Sequence, residues 1–99
     1  MSDYLSRDTY VPLLNDKFSI HIDSEQKAEI ELIKVSELRT RPSQEQFALL
    51  FLAPPDFQSE QQIYELEHPG IGKFELFLVP VGKDDQGLKF EAIFNRLVE

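Results

Sequence analysis

Cysteine and tryptophan are both absent from the 99 residues. The first absence excludes disulfide frameworks, thiolate zinc sites and cysteine nucleophiles together. No apolar run approaches the roughly 18 residues that a membrane-spanning helix needs, so no membrane contact is expected. The opening MSDYLSRDTY lacks the basic start and apolar core of a signal peptide, and a cytoplasmic product is predicted. Bases are scarce as well: 10 Lys and Arg against 18 Asp and Glu leave a net charge of −8. Phosphate backbones are repelled by such a chain, so nucleic acid is not an expected partner. Outward strand positions filled with Glu, which keep a small sheet soluble, account for the acidity better than mimicry of nucleic acid does.

What is present fits one small globular domain. Hydrophobic residues make up 41% and charged residues 28%, too apolar for a disordered chain. Eight phenylalanines predict a Phe-rich core. The stretch 5–15 predicts a short helix, with Ser6 as N-cap and Leu5 stapled against Tyr10. Pro12 limits its length, and Asn15, tolerant of the left-handed conformation, ends it.

From Lys17 onward a period of two predicts strands near 17–22, 27–35, 62–68 and 87–95, and the apolar runs Phe47–Ala53, stopped by Pro54-Pro55, and Phe74–Val81 predict doubly apolar strands near 46–53 and 73–81. A phase slip at Leu32-Ile33 signals a bulge. Pro80, which cannot donate to a ladder, marks a strand end, a bulge or an unpaired side. Pro69-Gly70-Ile71-Gly72 and the segment from Gly82 to Gly87 read as turns. The predicted class is all-β: a six-stranded, mainly antiparallel meander curled into a small barrel or sandwich, with one short N-terminal helix.

One face of each strand supplies a core: Phe18, Ile20, Ile30, Leu32, Phe47, Leu49, Phe51, Leu66, Phe74, Leu76, Leu78, Phe90 and Phe94. The opposite faces carry a second apolar set, Leu50, Leu52, Phe77, Val79, Val81 and Ile93. Burying one such side chain contributes about 1.5–3 kcal/mol, so the second set calls for a cover. Two covers are open: the N-terminal helix alone, or a protein partner or second copy sharing the task. The six residues are therefore candidate protein contacts.

Catalytic and ligand motifs fail in detail. Gly70-Ile71-Gly72 has Glu75 at the third glycine position of a phosphate loop, and a strand follows instead of a helix. His68 and Glu67 fall on opposite faces of a strand and cannot grip one metal; His68 near a turn is expected to bond backbone. Asp84-Asp85-Gln86 lacks the calcium-loop spacing. No Gly-x-Ser-x-Gly elbow exists. The pairs Glu29/Glu31 and Glu65/Glu67 mark wet strand faces. Glu91 and Asn95 sit on the outward parity of an otherwise apolar strand, and Asn95 suits the bonding of backbone where a barrel closes. No catalytic residue, metal site or cofactor is expected, and the chain is read as a non-enzyme.

Tyr64-Glu65-Leu66-Glu67-His68-Pro69, Gly72, Leu76-Phe77-Leu78-Val79-Pro80-Val81-Gly82, Gly87 and Phe90-Glu91-Ala92-Ile93-Phe94-Asn95 resemble the second half of a small bacterial domain family of unknown function. Thr9-Tyr10 through Asn15 to Phe18 is similar to that family's start, and Phe90 stands where tyrosine is expected. The resemblance implies a stand-alone domain of about this length without assigned activity, encoded beside phage-tail-collar-like proteins. It offers no catalytic residues to carry over.

The function expected from these observations is a non-enzymatic protein-interaction or assembly module, an adaptor for tail-fibre-like or surface-appendage proteins. The alternative is a small β-barrel that binds a small molecule or has an unrecognised enzymatic activity. An internal cavity of on the order of 300 Å³ would favour that alternative.

Overall fold

Alternation of apolar and polar residues marks the strands near 17–22, 27–35, 62–68 and 87–95, and runs apolar on both faces mark those near 46–53 and 73–81. The computed structural model describes residues 7–22, 25–37, 39–42, 44–57 and 60–97. The strands are β1 (Lys17–His21), β2 (Lys27–Val35), β3 (Arg39–Arg41), β4 (Gln44–Ala53), β5 (Gln62–His68), β6 (Gly72–Asp84) and β7 (Gly87–Leu97). All pairings are antiparallel, in the order β2-β1-β5-β6-β7-β4-β3, and a further β2–β4 pairing closes six strands into a barrel. The short β3 is the additional strand. It lies in a polar segment that carries no strand pattern, and it pairs with the start of β4 beyond the point where β2 leaves that edge.

The meander is present in two pieces. The chain runs β1-β2-β4 and then β5-β6-β7, each as neighbours. The pieces join through β1 with β5 and through β4 with β7, the latter in a ladder from Gln44↔Leu97 to Ala53↔Leu88. After Pro54-Pro55 breaks β4, the chain therefore crosses a barrel mouth instead of folding back beside β4. Closure removes the two open edges that a linear meander would keep, and β3 ends the strand order, with one edge unpaired among the described residues.

Both expected irregularities are present. The β2–β4 register shifts between Leu32 and Lys34, at the phase slip, and the β6–β7 register shifts between Pro80 and Gly82. The second shift follows from proline's missing N–H. Asn15 adopts φ 74°, as a residue ending a helix often does.

Every core side chain named from the sequence is buried, joined by Tyr10, Ala53, Tyr64, Leu88 and Ala92. Of the two covers left open for the second apolar set, the described part of the helix is not one. It is one turn, α1 (Arg7–Tyr10), continued by a 3-10 turn over Val11–Leu13 that contains Pro12; Leu5 and Ser6 lie outside the described residues. Tyr10 is fully buried and packs on Phe94, Phe47 and Phe74, with ring centroids 5.7, 6.4 and 6.4 Å away. These are inward residues, so the described part of the helix stoppers one barrel mouth and leaves the outer face uncovered. Backbone bonds from Asn15 N–H to the Leu32 carbonyl (2.7 Å) and from Leu32 N–H to the Asp16 carbonyl (3.1 Å) hold it there. At the other mouth Phe57, from the crossing segment, meets Tyr64 and Phe90 at 6.0 and 5.7 Å. Among the described residues no helix is long and apolar enough to cross a membrane.

Candidate functional site

The second apolar set lies on the outside of the barrel. Val79, Glu91 and Leu50 form one row across β6, β7 and β4, with Lys34 of β2 beyond Leu50. One step of two residues along these strands, in the same spatial direction, lie the Phe77–Ile63 pair of β6 and β5 and the Ile93–Ala48 pair of β7 and β4, just past Val79, where the β6–β7 ladder ends. Phe77 is 52% exposed, Ile93 56% and Ile63 64%, whereas Val79 and Leu50 are half-buried between neighbours. Val81, 51% exposed, sits in the β6 bulge. Leu52 lies opposite Lys89 and Glu31, on the hairpin side of the rows. The six candidate contacts thus share the outer surface, and the rows of Phe77 and Val79 bring four of them together. Polar residues bound them on the other side, where Glu65 faces Glu75 and Gln46 faces Asn95.

Two positions escaped the sequence reading. Ile63 shares the parity of Glu65 and Glu67, so its signal was an apolar residue at a wet strand position. Ala48 is small in a row of large side chains, and its size leaves a hollow of about 250 Å³ on the outer face, floored by Ala48 and Ile93 and rimmed by Ser36, Arg39, Gln46 and Glu91. Chain geometry opens the hollow further. Between β2 and β3, Ser36 exchanges bonds with Ala48: its N–H donates to the Ala48 carbonyl (2.9 Å), and its Oγ accepts from the Ala48 N–H (2.7 Å). The Arg7 Nε donates to the Ser36 carbonyl (2.7 Å), tying α1 to the same detour.

The residues weighed as ligands have structural partners. His68 is buried; its Nδ1 accepts from the Gly70 N–H (2.9 Å), and its Nε2 lies 3.0 Å from Asp16 Oδ2. The backbone bond is the expected one, and the carboxylate fastens the start of β1 to the β5–β6 turn. His21 meets Glu67 across the strands at 3.3 Å. No group of three His, Asp or Glu able to hold a metal occurs among the described residues. Asp84 accepts from the Gln86 N–H and pairs with Lys89 at 3.0 Å. The Lys89 bond chiefly, and then the backbone donor, hold its carboxyl below the ordinary value. Among the described residues the Asn95 side chain makes no backbone bond of the expected kind: its Oδ1 accepts at 3.4 Å from the side chain of Gln44, diagonal to it on the β4–β7 ladder.

The family described as Domain of unknown function (DUF6916) matches residues 5–94. No curated protein and no solved structure gives a match. The chain belongs to this family, which covers both the stoppering helix and the outer apolar rows.

Proposed function

We propose that this domain is a non-enzymatic interaction or assembly module, and that the outer rows centred on Phe77 and Ile93 are its contact surface. The observation that carries the reading is the set of four large apolar side chains more than half exposed on β5, β6 and β7: Ile63, Phe77, Val81 and Ile93. Scattered exposed hydrophobics are ordinary, but a contiguous patch with a polar border is how protein contact sites present themselves. The partner is a protein or a second copy. The likeness to domains encoded beside tail-collar-like proteins supports a tail-fibre-like or surface-appendage component as the partner class.

Support for a ligand inside the barrel is weaker. Inward side chains fill the bore with ring contacts, among them Phe18 on Phe51 at 5.4 Å and Phe47 stacked on Phe94 at 4.5 Å. Small barrels are filled in this way. The hollows lined by Ala48 and by Glu65 and Lys73 open outward.

Phe77→Asp and Ile93→Asp test the proposal. Both positions are exposed, so each variant should keep the wild-type circular dichroism and lose about 1 kcal/mol of stability or less. A tagged pull-down from the host lysate, with sedimentation of the pure protein, should show a partner or self-association that both variants lose. Association intact in both variants would refute the surface; unfolding of both would place the side chains in a core instead.

A further inference from the structure

Glu91 carries its charge where its neighbours are apolar. Its strand partners are Leu50 and Val79, and Ile93 follows it on the same face. It is half-buried, and among the described residues no hydrogen bond or ion pair reaches its carboxylate. Lys34 shares a smaller hollow with it but does not pair with it, and Arg39, across the Ala48 hollow, is exposed and makes no ion pair among the described residues. In the free protein, water solvates Glu91. A molecule covering the apolar rows would strip that water, and an unpaired carboxylate left in a dry contact is strongly unfavourable. A covering surface that brings its own cation removes that cost without drawing Lys34 or Arg39 out of water.

The hollow beside Glu91 specifies a second element. Its floor is apolar, and about 250 Å³ is room for one large side chain. Such an anchor beside a desolvated charge pair is the usual form of a binding hot spot.

We infer that the outer face takes a protein segment carrying Arg or Lys for Glu91 and, next to it, a large apolar side chain for the hollow over Ala48. The inference rests on the interaction-module reading and names the chemistry of its partner. The chain's net charge of −8 attracts a basic segment at long range. A second copy fits less well, because it brings the same acidic total, and two convex barrel faces meet over little area.

A displayed library of random 12-residue peptides, panned on the immobilised full-length protein, tests this. Binding of the enriched peptides is then measured by fluorescence anisotropy against wild type, Glu91→Gln, Ala48→Phe and Ile93→Asp, each checked by circular dichroism. The expected peptides carry Arg or Lys within a few residues of Leu, Phe or Trp. They should bind Glu91→Gln about tenfold more weakly, fail on Ala48→Phe, and weaken with salt. Enriched peptides lacking a base, or equal binding to Glu91→Gln, would overturn the inference, and loss on Ile93→Asp would still leave the interaction surface standing. Binding indifferent to Ile93→Asp would overturn both. A library that yields no enriched peptide also overturns the inference, and sedimentation then separates the cases: a dimer abolished by Ile93→Asp keeps the surface and makes its occupant a second copy.

Discussion

Truncating Tyr10 should nearly unfold the domain, although the residue belongs to a single helical turn. Its ring is fully buried and touches Phe94, Phe47 and Phe74 at the barrel mouth. Replacing a buried aromatic by alanine costs about 3–5 kcal/mol, part from lost transfer energy and part from the cavity. A domain of this length has on the order of 5–15 kcal/mol in total. At about 4–8 °C per kcal/mol, Tyr10→Ala should melt on the order of 15 °C or more below wild type. Urea titration followed by circular dichroism measures the loss directly, with Val11→Ala as control. Val11 is next in sequence but 44% exposed, and its truncation should cost about 0.5 kcal/mol or less. Dye binding adds a second readout, since an unstoppered mouth bares three phenylalanines. A loss below about 1 kcal/mol for Tyr10→Ala would refute the stopper and return the helix to the outer surface. Equal losses in Tyr10→Ala and Val11→Ala would refute it too, by showing that helix formation and not the ring matters.

The remaining predictions concern turns and polar groups. Gly87 has φ +149° and its Cβ would overlap the Ala53 carbonyl oxygen, whereas Gly72 has φ +94° and open space around it. Gly87→Ala should therefore cost clearly more than Gly72→Ala, whose strain alone is about 1–2 kcal/mol; equal melting temperatures would contradict the close approach. Because His68 Nδ1 accepts from the Gly70 N–H, the neutral ring carries its proton on Nε2, facing Asp16. Nitrogen chemical shifts read the tautomer, and a proton on Nδ1 would refute the bond; His68→Leu should lose about 1–3 kcal/mol. The Asp84 carboxyl, lowered chiefly by Lys89, is more acidic folded than unfolded. Its contribution is therefore complete above its ordinary value of 3.8 and fades as pH falls through the lower folded value. Asp84→Asn should flatten stability against pH in that acid range, weakly because the group is exposed, and an unchanged slope would show that Lys89 does not hold it.

Local signals in the chain were strong wherever one residue's neighbours decide its state. Alternation placed β1, β2, β5 and β7, and bounded apolar runs placed β4 and β6, with their inward sets from Phe18 to Phe94. The phase slip at Leu32-Ile33 and the missing donor of Pro80 located both bulges, and Asn15 ended the helix. The signal failed where a choice was made between distant partners. Nothing in FALLFLA says that β4 pairs with β7, at sequence separations of 35 (Ala53↔Leu88) to 47 (Phe47↔Phe94) residues, or that β1 accepts β5; a buried strand presents the same apolar pattern to any neighbour. Arg39-Thr40-Arg41 carries no alternation because β3 has no core face, and the ladder of β4 alone makes it a strand. The helix pattern showed an apolar side without saying which surface receives it.

The site divides in the same way, and the division explains why the described helix leaves the outer rows uncovered. Leu50, Phe77, Val79 and Ile93 were visible as apolar residues on the second face, and the expected internal cover was the helix. Closure of the barrel opens two mouths, each of which exposes inward aromatics unless something fills it. Tyr10 and Phe57, the aromatic residues nearest the two mouths outside the strands, are used there. A one-turn helix cannot also lie across four strands of the outer surface, since about 1.5 Å of rise per residue gives it only about 6 Å of length against about 4.8 Å between each pair of strands. The six-stranded closure thus consumes the one helical cover among the described residues, and Phe77 and Ile93 beside Glu91 stay exposed.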